Sequence, residues 1–310
     1  MNKPVLSIVA TIYNVEKIIC QFIDEVLKYV IPLNITYEII LVNDGSIDNS
    51  ENEIQNICKN NNTVKCISLS RNFGQQVAAS AGINYSSGEY IIIMDGDFQN
   101  PPSEIPLLYN KIREGYDIIY CSSKTRNNLR DRITSEIFWF ILVKLLKVKI
   151  IKNQLMMKIM TRKFVNEFNR YNEINRTISG IVNDIGLKYD IVEIKTSKRL
   201  AGKSNYTFFK RFNLMIDVII SLSNAPLNFL IYLGLLIFIL TCCTSVFYYF
   251  RYLFYDIVPG FTSMVLLTLF FGSVIILMLG LIGRYLSNIY SEIRRRPLYI
   301  IQKEYNFTKE

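Results

Sequence analysis

The chain has 310 residues, half of them hydrophobic, a formal charge of +9, six cysteines and no histidine. Without histidine, any mechanism that needs an imidazole base or ligand is excluded, and the cysteines show no paired C-x-x-C spacing, so they read as reduced packing residues. The positive charge gathers near an apolar carboxyl-terminal third and forms no aromatic-interleaved patch, which points to anionic lipid headgroups and away from nucleic acid.

Strand and helix signals alternate along the first 120 residues. Val5 to Ile12 is a short apolar run just after Lys3. It lacks the basic region, long apolar stretch and cleavage site of a signal peptide. A helical pattern follows from Val15 to Tyr29, then a strand from Tyr37 to Asn43, a helix from Ser50 to Asn60 with Ser46, Asp48 or Ser50 as its cap, and a strand from Val64 to Leu69. A helix from Gln75 to Tyr85 leads to a strand from Tyr90 to Met94. Such alternation predicts βαβ units and a mainly parallel sheet.

The strand Ile91-Ile92-Ile93-Met94 delivers Asp95, Gly96, Asp97, Phe98 and Gln99 onto a turn. In an open α/β sheet the ligand crevice lies beyond the carboxyl ends of the strands. Side chains two apart along a strand share a face, so Asp95, Asp97 and Gln99 can converge on one hard cation. Mg2+ or Mn2+ bridging a diphosphate is the natural occupant. The plainer alternative is a strand end followed by a turn.

From Lys124 to Arg132 the chain is polar and basic, and Ile133 to Val148 reads as a helix packed on the domain or at an interface. A second basic segment, Lys195 to Arg211, runs into an amphipathic stretch from Phe208 to Leu222. No charged residue falls between Asp217 and Arg251, and none between Asp256 and Arg284. Each interval exceeds the roughly 20 residues that cross a bilayer, which predicts two transmembrane helices. Lysines and arginines flank the outer ends of the pair, placing both termini and the amino-terminal domain in the cytoplasm. The expected divisions are a cytoplasmic domain over 1–205, a juxtamembrane segment over 206–226, two spans within 227–286, and a basic tail over 287–310.

Four features fall in the order that transfer from a nucleotide sugar requires. Tyr13-Asn14 and Asp44 can contact a base and ribose, the Asp95–Gln99 turn can bind metal and diphosphate, and Arg199-Leu200-Ala201-Gly202-Lys203-Ser204 brings cations to phosphate.

Together with Val42-Asn43-Asp44-Gly45-Ser46, Ser70-Arg71-Asn72-Phe73-Gly74, Asn175-Arg176, Ser223-Asn224-Ala225-Pro226-Leu227, Gly283-Arg284-Tyr285-Leu286 and Arg296-Pro297-Leu298-Tyr299-Ile300, these motifs make a set. The chain so read resembles the family 2 glycosyltransferases of the GT-A fold, in particular bacterial polyprenyl-phosphate glycosyltransferases related to dolichol-phosphate mannose synthase. The resemblance implies a Rossmann-like α/β domain followed by interface helices and two membrane spans. It also implies that Tyr13, Asn14, Glu16, Asp44, Asp95 and Gly96 contact the donor, that Asp97 and Gln99 ligate the ion with Asp95 on ribose or metal, and that Asp97 and Arg199 are catalytic. Lys203 joins Arg199 on the donor phosphates, and Arg132 and Ser135 match positions that line the acceptor phosphate pocket. The implied reaction is inverting transfer from a UDP-hexose such as UDP-glucose to undecaprenyl phosphate, in the bacterial inner membrane, by a homotetramer.

The sequence departs from that pattern at Thr11 (usually Pro), Val15 (usually Glu, which follows as Glu16), Gly96 (often Ala), Asn100 (often Asp), Asn205 (often Lys), and near Met156 to Ile159, where an Asp is missing and Lys158 replaces an Arg. The alternatives are a same-fold enzyme acting on a polysaccharide or glycolipid, and a membrane-anchored nucleotide-sugar-binding protein without turnover.

Overall fold

The computed structural model describes residues 3–123, 154–171, 173, 178, 185–195, 260–307 and scattered positions between 232 and 247. The chain divides into two units, one holding 1–144, 149–205 and 297–310, the other holding 145–148 and 206–296.

The first unit is built on an eight-stranded sheet. In chain order its elements are β1 (Leu6–Ile12), α1 (Ile19–Val30), β2 (Tyr37–Asn43), α2 (Ser50–Asn60), β3 (Val64–Leu69), α3 (Gln75–Tyr85), β4 (Tyr90–Asp95), α4 (Ile105–Ile112), β5 (Ile118–Ser123), β6 (Gln154–Thr161), α5 (Arg162–Phe168), β7 (Tyr189–Ile194) and β8 (Ile301–Tyr305). The strand order is β7-β5-β6-β4-β1-β2-β3-β8. Strands β3, β2, β1 and β4 run parallel, whereas β6 is antiparallel to β4 and β8 antiparallel to β3.

Both faces of this sheet are covered, so its central strands are mostly apolar and buried along nearly their whole length. All seven residues of β1 are buried, and alternate residues enter opposite cores. Leu6, Ile8 and Ala10 pack with Ile19, Phe22 and Val26 of α1, whereas Val9 packs with Ala78 and Ala81 of α3 and with Phe164 of α5. The α1 residues recur at helical spacing, which is what an amphipathic helix on a sheet requires.

The expected elements agree with the observed ones at β2, α2, β3 and α3, and helix α1 begins later than expected, at Ile19. The reason is local: Asn14 stands at φ 53 and holds the loop after β1 away from helix. The N-cap of α2 is Asn49, while Asp48 Oδ1 accepts the Ser50 N–H at 3.1 Å and Ser46 and Ser50 serve the neighbouring loop.

The chain runs outward from β1 to β3 and then returns to the other side of β1 at β4. That reversal lies between β1 and β4, and ligand crevices open at such points. Tyr13 and Asp95 stand at the carboxyl ends of the two strands.

In the second unit a helix, α6 (Phe261–Ile293), runs for 33 residues, and its segment Phe270–Ile293 is long and apolar enough to cross a membrane. It is the one such helix among the described residues. At 1.5 Å per residue α6 spans about 50 Å, longer than a hydrocarbon core of about 30 Å. It continues past the expected boundary at Leu286, because Arg284 ends an apolar stretch without ending a helix. The first expected span and the helix expected over 133–148 lie mainly outside the described residues.

The chain after residue 287 carries a basic tail with no strand pattern of its own. Strand β8 nevertheless pairs with β3, the Ser70 N–H donates to the Ile300 carbonyl at 2.9 Å, and Asn84 donates to the Tyr299 hydroxyl at 2.9 Å. Asn306 Nδ2 also donates to the carbonyls of Cys58 at 2.6 Å and Val64 at 2.8 Å. Among the cysteines, Cys58, Cys66 and Cys121 are buried packing residues as expected, whereas Cys20 and Cys243 are exposed.

Candidate active site

Asp95 ends β4, is 9 % exposed, and is held from three sides. Thr11 Oγ1 donates to its Oδ1 at 3.1 Å, Gln75 Nε2 donates to the same oxygen, and Asn100 Nδ2 donates to Oδ2 at 3.0 Å. Thr11 makes a bond that the more usual proline could not. Burial raises the Asp95 pKa and the charge of Asp97 raises it further, against the hydrogen bonds from Gln75 and Thr11 and the charge of Lys158. Lys158 itself is buried in β6 beside the Tyr120 ring, and burial pushes its pKa down to about 8 while Asp95 pulls it back up.

Strand β4 stops at Asp95, so alternation along a pleat does not bring Asp97 and Gln99 onto its face. A turn orients them instead. Phe98 adopts φ 64, and Asp97 Oδ1 accepts the Gln99 N–H at 3.0 Å. A left-handed phenylalanine costs about 1–2 kcal/mol. Burying its ring edge-on against Phe22, centroids 5.5 Å apart, returns about 2 kcal/mol, so the core holds the turn in shape. A Cβ on Gly96 would press on the Ile12 side chain.

The residues of this turn fit a hard divalent ion. Burial and the neighbouring Asp97 carboxylate both oppose ionisation of Asp95, a cost that a cation relieves. Asn100 is 2 % exposed and its Oδ1 has no hydrogen-bond partner, leaving a buried oxygen beside Asp95. Carboxylate and amide oxygens are the donors that magnesium and manganese prefer.

The other expected residues divide into loop builders and cleft walls. Asp44 is 4 % exposed; its Oδ1 accepts the Phe73 N–H at 2.7 Å and its Oδ2 the Gly74 N–H at 3.0 Å, at the start of α3. Burial raises the Asp44 pKa, while those two bonds and the charge of Arg71 oppose the rise. Gly45 stands at φ 65, and a Cβ there would fall within 2.5 Å of the Asn72 nitrogen. Glycine is thus required by conformation and by the close approach of the loop that Asp44 holds.

Asn14 and Glu16 join the loops after β1 and β2. The Asn14 N–H donates to Ser46 Oγ at 3.0 Å, Asn14 Oδ1 accepts from Ile47 at 2.9 Å, and Glu16 Oε2 accepts from Asn49 at 2.9 Å. Tyr13 is 46 % exposed and lines an open cleft of about 450 Å³ with Gly45, Ser46, Arg71, Asn72, Gln302 and Lys303. Arg132, Ser135, Arg199 and Lys203 lie outside the described residues.

Sequence reasoning missed Gln75, the part of Thr11 and Asn100 in holding Asp95, and the residues of β8. Position 75 carried a signal, since a polar side chain in the first helical turn after Phe73-Gly74 faces the carboxyl edge of the sheet.

A mainly parallel sheet with two carboxylates at its reversal point defines an α/β domain of the class that binds ligands at that point. Residues 7–168 match the model of Glycosyl transferase family 2, and the chain belongs to that family; it is a glycosyltransferase. It is 32 % identical to the undecaprenyl-phosphate 4-deoxy-4-formamido-L-arabinose transferase of Proteus mirabilis, over 96 % of this chain and 93 % of the relative. It is 31 % identical to the SfII prophage-derived bactoprenol glucosyl transferase of Shigella flexneri, over 97 % and 98 % of the two chains. Among solved structures, glucosyl-3-phosphoglycerate synthase from Mycobacterium tuberculosis, in complex with Mn2+, UDP and phosphoglyceric acid, superposes with a TM-score of 0.51 at 18 % identity, covering 71 % of this chain and 77 % of that one. That likeness shows the GT-A fold.

Proposed function

We propose that this glycosyltransferase moves a hexose from a UDP-sugar, UDP-glucose foremost, to undecaprenyl phosphate with inversion at the anomeric carbon. The observation that carries the reading is the Asp95–Gln99 turn, held at the sheet reversal of a chain that matches polyprenyl-phosphate sugar transferases over nearly its whole length.

The strand order β4-β1-β2-β3-β8 sets the carboxylates and the open cleft side by side. At about 4.8 Å between strands, β4 and β2 are about 10 Å apart, a separation that a nucleoside diphosphate bridges. The donor then lies with its diphosphate toward Asp95 and Asp97 and its nucleoside toward Tyr13 and Gly45.

Asp97, Gln99 and Asp95, with Asn100 Oδ1 beside them, would hold Mg2+ or Mn2+. When bound, the ion neutralises charge on the departing nucleoside diphosphate. The chain's own residues do the rest. A lipid monophosphate is already anionic near neutral pH, so its oxygen attacks the anomeric carbon with no base to activate it, in keeping with a chain that has no histidine. The protein's task is to hold two anions together against their repulsion. Arg199 and Lys203 grip the donor phosphates, and Arg132 and Ser135 the lipid phosphate. The apolar helix α6 and a preceding span anchor the enzyme where the lipid resides, with the catalytic domain on the cytoplasmic side.

The test is mass spectrometry of the lipid made by full-length protein in vesicles from undecaprenyl phosphate and a panel of nucleotide sugars. A lipid carrying one hexose, made fastest from UDP-glucose, is expected. A pentose-mass product would replace the donor, and sugar appearing only on added polysaccharide or glycolipid would replace the acceptor.

A further inference from the structure

The antiparallel pairing of β8 with β3 is irregular at one place. Cys66, Ile67 and Ser68 face Tyr305, Glu304 and Lys303 in turn, but Leu69 faces Ile301, so Gln302 is an extra residue with no partner across the ladder. A bulge of this kind re-aims a side chain. Without it, Gln302 would share a face with Glu304, which accepts from the Tyr85 hydroxyl of α3 at 2.7 Å. Instead Gln302 and Lys303 both line the open cleft beside the loops after β2 and β3.

The floor and rim of that cleft differ in what they can offer. At the floor, Glu51 is saturated: it accepts from Ser68 Oγ at 2.5 Å, Asn43 Nδ2 at 2.6 Å and the Tyr305 hydroxyl at 2.9 Å. The rim carries a half-exposed tyrosine ring at Tyr13, the Arg71 guanidinium stacked 4.2 Å from the Phe73 centroid, and the Gln302 amide. An aromatic face, a fixed cation and an amide with both a donor and an acceptor suit a flat heterocycle attached to an anionic ribose phosphate.

We propose that Gln302 reads the base edge of the donor nucleotide in this cleft, which makes the carboxyl-terminal strand β8 a determinant of nucleotide specificity. The inference rests on the donor reading above and extends it to a segment that lies beyond the membrane helix in sequence. Gln302 acts in recognition and takes no part in bond making.

The experiment uses full-length protein in detergent, with UDP, GDP, CDP and ADP as competitors of sugar transfer, and compares Gln302→Leu and Gln302→Glu with the wild type. Gln302→Leu should weaken inhibition by the preferred nucleotide about five- to tenfold, the worth of one lost hydrogen bond, with kcat and the lipid KM within about twofold. Gln302→Glu keeps the length and loses the donor, so it should change the rank order of the bases. Unchanged inhibition constants and rank order in both variants, with an active wild type, would overturn this inference alone. Failure of the wild type to bind any of the nucleotides would overturn it together with the donor reading.

Discussion

The Tyr305 hydroxyl donates to Glu51 Oε1 at 2.9 Å, bonding strand β8 to a residue of helix α2 that lies 254 positions earlier. Lys303 lies 3.5 Å from the same carboxylate oxygen, and Ser68 and Asn43 hold the other. Burial opposes ionisation of Glu51, and the bonds from Ser68, Asn43 and Tyr305 outweigh it, so its pKa is lowered. Tyr305→Phe should cost about 1–2 kcal/mol of stability, the worth of a hydrogen bond to a charged group, and should raise the donor KM with little change in kcat. Thermal unfolding and steady-state kinetics of the full-length protein check both; unchanged values would make the contact incidental.

Asp97→Ala should abolish transfer while the protein stays folded, because it removes a charged oxygen from the turn. Gln99→Ala should be milder and should shift the Mn2+ concentration for half-maximal rate upward, since a neutral amide contributes less. The measurement is rate against metal concentration; full, metal-dependent turnover in Asp97→Ala would refute the assignment.

Gly45→Ala should be severely destabilising at the loop. It combines a left-handed φ with an overlap against the Arg71 and Asn72 backbone, and no side chain can yield there. The expected result is a loss of about 2–4 kcal/mol with weakened nucleotide binding. Gly74→Ala is the useful contrast, because its Cβ would meet nothing within 4 Å and only its φ of 96 is at stake.

Glu38 sets an acid limit on stability. It is 3 % exposed, and burial alone would raise its pKa, but bonds from Lys65 at 2.8 Å, Ser7 at 2.6 Å and Ser87 lower it below the ordinary 4.5. A depressed carboxyl pKa stabilises the fold above the unfolded value, and that contribution disappears as pH falls through the folded one. Stability measured by urea unfolding should therefore hold down to about pH 5 and then fall toward pH 3. Lys65→Met should lower stability at neutral pH and flatten the acid-side fall. Buried Asp44 and Asp95, whose pKa values are raised, contribute with the opposite sign.

The charge distribution also predicts topology, with residues 252–261 outside and both termini in the cytoplasm. A cysteine at Phe261 or Ser263 should react with an impermeant maleimide added to intact cells, and one at Asn2 should not. The background must first lose the six native cysteines. The opposite labelling pattern would separate the catalytic domain from cytoplasmic nucleotide sugars.

Periodicity in the chain alone determined the strands and helices from β1 to β4 and the carboxylate turn at the sheet's carboxyl edge. Those signals are local: buried strands read as largely apolar runs, and turn residues mark where they end. The order of motifs likewise pointed to the family. Tertiary structure decided what the site residues do. Asp44 holds the loop that starts α3, Asn14 and Glu16 join two loops, and Asp97 owes its orientation to Phe98 in the core, because each depends on a partner from a distant element. The part of β8 was likewise invisible in sequence. Ile301–Tyr305 carries polar residues at three consecutive positions, and only the unpaired edge of β3 makes it a strand.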